Sequence, residues 1–138
     1  MFRLPVLANA LHVDLQVTNN TALITGASAG IGRGIAKALA VESVTTVIAA
    51  RRQEALNELA TEIENSGHPL PIVISSDLYE DNASNRFAEA VLAAVGHIDI
   101  LINNAGGNQI MNFLWDAMAS RMISRHSRPF YHHRWQAI

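Results

Sequence analysis

The sequence predicts an α/β domain whose strands are parallel and whose helices cover both faces of the sheet. Three observations carry this expectation. From Thr21 onward, short continuous apolar runs alternate with segments of helical apolar spacing, the mark of repeated strand–helix–strand units. Hydrophobic residues fill 49% of the positions and charged residues 16%, a balance suited to strands buried on two faces rather than one. Glycine-rich or polar steps follow three of the apolar runs, at the strand ends where open α/β sheets receive ligands.

Thr21-Ala-Leu-Ile-Thr25 reads as the first strand, and Ile31, Ile35, Ala38 and Leu39 as the apolar face of the helix behind it. Thr45–Ala50, rich in β-branched residues, is the second strand. The next helix buries Leu56, Leu59 and Ile63, and Gly67 stands where a left-handed C-terminal cap is wanted. Residues 71–75 form the third strand, closely followed by Asp77. A third helix carries Phe87, Ala90, Val91, Ala94 and Val95 on one stripe and ends at Gly96; residues 98–102 are the fourth strand. Helical spacing returns over 110–124 and is absent beyond Ser124.

At 138 residues one domain is expected, divided into an extension at 1–20, a nucleotide-binding domain at 21–107 and a helix with a basic tail at 108–138. All 12 acidic residues and 6 of the 10 basic ones lie in 1–116, so that part carries −6 and residues 117–138 carry +4. The basic end reads as a solvated tail, with no nucleic-acid partner expected. His126, His132 and His133 fit that polar end better than a metal cluster. With no cysteine there is no disulfide framework or thiol nucleophile, which suits a reducing compartment. The apolar run after Arg3 is short and broken by Pro5 and Asn9, so a cytoplasmic protein without a membrane span is expected.

The first strand runs straight into Thr25-Gly26-Ala27-Ser28-Ala29-Gly30-Ile31-Gly32 and then a helix. Such a turn must reverse tightly, let backbone approach a pyrophosphate, and aim the free N–H groups of the helix start at the anion. Gly26, Gly30 and Gly32 meet these demands, although the spacing is not the usual G-x-G-x-x-G, and an ordinary glycine-rich turn is an equal reading of this stretch taken alone.

Thr-Gly-x-x-x-Gly-x-Gly after the first strand resembles the cofactor signature of short-chain dehydrogenases/reductases. Asn103-Asn104-Ala105-Gly106 after the fourth strand is similar to that family's Asn-Asn-Ala-Gly motif, and Asp77-Leu78 to its adenine-contacting step. The resemblance covers roughly Asp14 to Gly107. It implies a Rossmann-like, doubly wound sheet of order 3-2-1-4 and NAD(P)(H)-dependent interconversion of an alcohol and a ketone, of the 3-oxoacyl-thioester or carbonyl reductase type. It further implies that Gly26, Ser28 and Ile31 line the pyrophosphate and ribose, that Asp77 accepts from the adenine amino group with Leu78 near the ring, and that Asn104, Ala105 and Gly106 lie beside the ribose on the nicotinamide side. Asp77 can also be a plain turn or helix-cap carboxylate, and Asn103 is expected to bond neighbouring backbone.

Arg51 and Arg52 follow the second strand, where a carboxylate would accept from the ribose 2′-hydroxyl of NAD. A guanidinium instead suits a 2′-phosphate, so NADP(H) is expected, with Arg51 the first candidate; Arg52 is equally a solvated helix-start residue.

The family's Tyr-x-x-x-Lys pair is missing. Lys37 is the sole lysine, Tyr131 has Trp135 where the lysine would stand, and no catalytic residue is assigned. A tyrosine without that help keeps a pKa near ~10 and transfers protons poorly at neutral pH. A catalytically incomplete cofactor-binding module, or a truncated or frameshifted chain, is therefore the alternative to an active reductase, with its fourth strand an edge open to self-association.

Overall fold

A computed structural model of the chain describes residues 15–106 together with 116 and 117. β1 (Thr21–Thr25), β2 (Thr45–Ala50), β3 (Ile72–Ser75) and β4 (Ile100–Ile102) form one parallel sheet of order β3-β2-β1-β4. This is the expected Rossmann-like arrangement. The connecting helices are α1 (Gly30–Val41), α2 (Gln53–Asn65) and α3 (Ala83–Val95). β3 and β4 are one or two residues shorter at the start than the apolar runs suggest, since Pro71 brings no N–H to a ladder and Asp99 turns to the neighbouring strand. There its backbone N–H donates to the Thr21 carbonyl and its carboxylate accepts from the Thr21 N–H, at 2.9 and 2.8 Å.

Alternation along the strands divides the core into two layers. Ala22, Ile24, Ile48, Val73, Ile100 and Ile102 face α1 and α2, whereas Leu23, Val47, Ala49, Ile72, Ile74 and Leu101 face α3. β1 is buried along its whole length, as a strand with neighbours on both sides and helices on both faces must be. Thr46 is also buried, and its hydroxyl finds no hydrogen-bond partner among the described residues.

Two helices turn differently from the expected stripes. α1 buries Gly32, Ala36 and Ala40, with Ile35 and Leu39 beside them, while Ile31 and Ala38 are exposed. The small side chains face inward because Gly32 sits directly on the turn after β1, which leaves no room for a large residue on that line. In α3, Phe87 and Val91 are buried as expected, but Ala88 and the half-buried Leu92 take the place of Ala90 and Ala94, which are exposed. Turning Leu92 inward removes more apolar area from water than turning Ala94 inward would.

α2 buries Leu56, Leu59, Ala60 and Ile63 and ends as expected at Gly67, whose φ is +84°. The N–H of His68 reaches the carbonyl of Ile63 and that of Gly67 the carbonyl of Glu64, at 3.3 and 2.9 Å, the paired bonds of a Schellman stop. Of the helix expected over 110–124, Asp116 and Ala117 are described; both are helical, and Ala117 is buried against the α3 layer. The remainder of that helix, the tail histidines and most of the N-terminal extension lie outside the described residues. No helix among the described residues is long and apolar enough to cross a membrane.

Candidate functional site

Parallel strands all end on the same side, so the loops after β1, β2, β3 and β4 meet there by construction. They enclose a cleft of about 580 Å³. Gly26 and Ser28 line it from the first loop, Arg51 and Arg52 from the second, Asp77 and Leu78 from the third, and Asn104, Ala105 and Gly106 from the fourth. Ala49, Ala50, Ser76, Tyr79 and Phe87, none of them expected at the site, complete the wall with Thr25, the first residue of the glycine signature. Tyr79 adjoins Asp77-Leu78, and that adjacency is the one sequence signal for it. A larger depression of about 740 Å³ runs along Glu54–Ser66, but it is an open surface of one helix, with no strand end beside it.

Gly30, Ile31 and Gly32 are not in the wall of the cleft. Gly30 shapes the turn at a φ of +58° and Ile31 is 74% exposed on the first turn of α1. Gly32 works from underneath. A Cβ there would stand 2.5 Å from the Gly26 carbonyl oxygen and 2.7 Å from the Asn104 side-chain nitrogen. Gly26 itself has a φ of +65°, and its own Cβ would meet the Asn104 carbonyl oxygen at 2.9 Å. Two glycines thus let the first loop, the start of α1 and the fourth loop occupy one small space.

A single hydroxyl ties those loops together. The backbone N–H groups of Asn104 and Ala105 donate to Thr25 Oγ1 at 3.0 and 3.1 Å, and Thr25 Oγ1 donates toward Asn103 Oδ1 at 3.2 Å or the Ile102 carbonyl at 3.4 Å. Asn104 Nδ2 adds a bond to the Gly26 carbonyl at 3.3 Å. Buried at 0% exposure, the threonine hydroxyl has both lone pairs and its proton in use. Asn103 is engaged with the framework and lies outside the cleft wall.

The second and third loops are tied in turn. Ala27 N–H donates to the Ala49 carbonyl, Ser76 N–H to the Ala50 carbonyl and Ser75 Oγ to the Arg51 carbonyl, at 3.1, 3.0 and 3.0 Å. Asp77 Oδ1 accepts from the Tyr79 N–H at 3.1 Å, so this carboxylate shapes its own turn as well as facing the cleft. The start of α1 has no side-chain cap and no acidic residue in its first turn, which leaves the leading N–H groups available to an anion. Behind it, Arg33 and Lys37 both pair with Glu62 of α2, Arg33 at 2.7 Å. The Lys37 ammonium first, and the Arg33 guanidinium with it, hold the Glu62 carboxyl below the ordinary glutamate value.

Comparison with known proteins places this geometry. The profile of the family described as short chain dehydrogenase matches residues 20–128, reaching past Gly107, where the resemblance read from the motifs ends. The chain is 43% identical over 91 residues to a fatty acyl-CoA reductase of Acinetobacter baylyi, covering 66% of this chain and 30% of that protein. It is 35% identical over 111 residues to the bovine dehydrogenase/reductase SDR family member 7B, covering 77% and 34% respectively. Among solved structures, a metagenomic short-chain oxidoreductase in complex with NADP superposes with a TM-score of 0.71 at 31% identity, over 78% of this chain and 58% of that one. L-sorbose reductase from Gluconobacter frateurii, complexed with NADPH and L-sorbose, gives 0.74 at 25% identity, over 82% and 51%. The chain spans about a third of the length of the two curated relatives. With a matching profile over most of its length, a Rossmann-like parallel sheet and oxidoreductase relatives in both sequence and structure, the chain belongs to the short-chain dehydrogenase family.

Proposed function

We propose that the chain binds NADP(H) in the cleft at the strand ends and supplies the cofactor half of an oxidoreductase acting on an alcohol/ketone pair. The observation that carries this reading is the wall after β2. Arg51 and Arg52 both line the cleft, no carboxylate stands beside them at that strand end, and among the described residues neither guanidinium enters an ion pair. Arg51 holds the 2′-phosphate, with Arg52 as its second donor. Gly26, Ser28, Gly30, Ile31 and Gly32 form the turn and helix start that receive the pyrophosphate. Asp77 accepts from the adenine amino group, Leu78 packs beside the ring, and Asn104, Ala105 and Gly106 border the second ribose. When bound, the cofactor supplies a hydride at its nicotinamide; the chain's own residues bind and orient it. An acyl thioester bearing a ketone, or a simple carbonyl compound, is the proposed substrate class, in keeping with relatives named fatty acyl-CoA reductase and L-sorbose reductase.

Calorimetric titration tests the cofactor choice. NADPH is expected to bind more tightly than NADH by about ten- to a hundredfold, the worth of a charge-assisted bidentate contact, and Arg51→Ala to remove most of that preference. Equal affinities, or tighter NADH, would falsify the assignment.

A second reading, a cofactor-binding module without turnover of its own, is favoured by the position of the sole lysine. Lys37 is paired with Glu62 between α1 and α2 and is not in the cleft wall. No NADPH oxidation with ketones or ketoacyl thioesters is expected from this chain; steady ketone-dependent oxidation would overturn that, and its loss in Tyr131→Phe would assign the chemistry to Tyr131. Self-association is part of the same proposal. Among the described residues β4 pairs with β1 alone, and its half-exposed Ile-Leu-Ile run carries neither lysine nor proline to discourage another strand. Sedimentation that finds only monomer over a wide concentration range would remove that part.

A further inference from the structure

The Tyr79 side chain has no role in the cofactor contacts proposed above, yet its position is unusual. β3 and β4 are opposite edges of the sheet, with the ends of β2 and β1 between them. Tyr79 belongs to the loop after β3, and its phenol rests against Gly106 in the loop after β4: a Cβ on Gly106 would stand 2.5 Å from Tyr79 Oη. The side chain therefore crosses the mouth of the cleft from one edge loop to the other. Its N–H donates to Asp77 Oδ1 at 3.1 Å, and its phenol end lies beside Gly106. The residue lines the cleft and is 66% exposed, an aromatic surface that the described residues leave largely open.

Resting on the cofactor reading, we propose that Tyr79 is a specificity-determining residue for the purine half of the dinucleotide, its ring forming the outer wall against which the base packs. Base–aromatic contact needs a flat apolar face beside the base and no particular hydrogen bond, which an exposed ring at a cleft mouth supplies. The glycine at 106 then has a reason independent of the ligand: a side chain there would push the ring out of position. The phenol end lies against Gly106 without a required hydrogen bond, and the ring supplies the affinity.

The test is titration of wild type, Tyr79→Ala and Tyr79→Phe with NADPH and with adenosine 2′,5′-bisphosphate, which keeps the base and the 2′-phosphate and lacks the nicotinamide half. Tyr79→Ala is expected to weaken both by about 5- to 30-fold, and Tyr79→Phe to stay within about twofold of wild type. At 66% exposure the alanine variant is expected to melt with wild type, and thermal melting checks this. Unchanged binding of the bisphosphate in Tyr79→Ala overturns the proposal, as does loss confined to NADPH. Tighter binding in Tyr79→Ala would show a ring that blocks the cleft, and equal loss in Tyr79→Phe would assign the effect to the hydroxyl; either outcome defeats the inference. Failure of the cofactor reading looks different, because wild type would then saturate with neither NADPH nor NADH, and the role of Tyr79 would fall with it.

Discussion

Gly32 and Gly34 lie two residues apart on α1, and replacing each by alanine separates steric from propensity effects. Both substitutions gain helix propensity, up to about 1 kcal/mol each. At Gly34 an added Cβ meets nothing within 4 Å, so that gain is expected to appear as added stability. At Gly32 the same methyl would stand 2.5 Å from the Gly26 carbonyl oxygen and 3.0 Å from its carbonyl carbon. Those are backbone atoms of a turn held by Thr25, Ala49 and Asn104, and they cannot swing aside as the end of a long side chain can. Overpacking of this kind costs roughly 1–3 kcal/mol. Because the propensity term cancels between the two variants, their difference reports the clash alone. Thermal unfolding followed by circular dichroism should place Gly32→Ala at least about 4–8 °C below Gly34→Ala, the shift expected for 1 kcal/mol in a domain of this size. NADPH titration should show weakened binding for Gly32→Ala and wild-type binding for Gly34→Ala. Equal melting temperatures, or Gly32→Ala the more stable of the two, would refute the packing of α1 on the turn.

Three further outcomes follow from the same framework. Thr25→Val is expected to cost about 1–3 kcal/mol in denaturant unfolding, because the Asn104 and Ala105 N–H groups lose their acceptor, while Thr25→Ser keeps most of the stability; equal losses would show that the hydroxyl is not the tie. Thr46→Val replaces a buried hydroxyl that has no partner among the described residues by a methyl, and stability should rise by about 1 kcal/mol; a fall in the denaturation midpoint would mean that the hydroxyl is satisfied. Glu62 is lowered by Lys37 first and Arg33 with it, so its contribution is present above the unfolded glutamate value of about 4.3 and is lost as pH falls through the lower folded value. Acid titration of stability should therefore be shallower over that window in Glu62→Gln, by a small amount because the pair is exposed, and an unchanged profile would count against the pairing.

Much of this architecture was legible in the residues because parallel-sheet strands are short, continuous and apolar, and because glycine at a strand end answers a steric demand that few other residues meet. Strand order and the convergence of Gly26, Arg51, Asp77 and Asn104 on one cleft follow from those two facts and from the resemblance that the motifs carry. Which side of a helix turns inward was less legible. In α1 the apolar spacing pointed to Ile31 and Ala38, but the close approach of Gly32 to Gly26 fixes the rotation, and that contact depends on two glycines whose neighbours are known only in three dimensions. In α3, seven of thirteen residues being alanine or small polar groups left two stripes of similar apolarity, and the larger area of Leu92 decided between them. Tyr79 gave no signal of its own, since its meaning lies in reaching Gly106 from the other edge of the sheet.

The bonds from Asn104 and Ala105 to Thr25 Oγ1 join positions 79 and 80 residues apart. β1 is the first strand to leave the ribosome and β4 the last of the four, yet they are neighbours in the sheet. Closing so long a loop costs entropy before any contact repays it, and long-range parallel pairing is slow for that reason. The glycine turn can form early, with β1, α1 and β2, but its partner wall arrives only when β4 docks. Until then Thr25 and Ile24 present an open strand edge, and a nascent chain shorter than about 105 residues has the glycine-turn side of the cleft without the wall that Asn104, Ala105 and Gly106 supply. Completion of the cleft is thus a late event in folding, timed by the arrival of the fourth strand rather than by the appearance of the glycine signature.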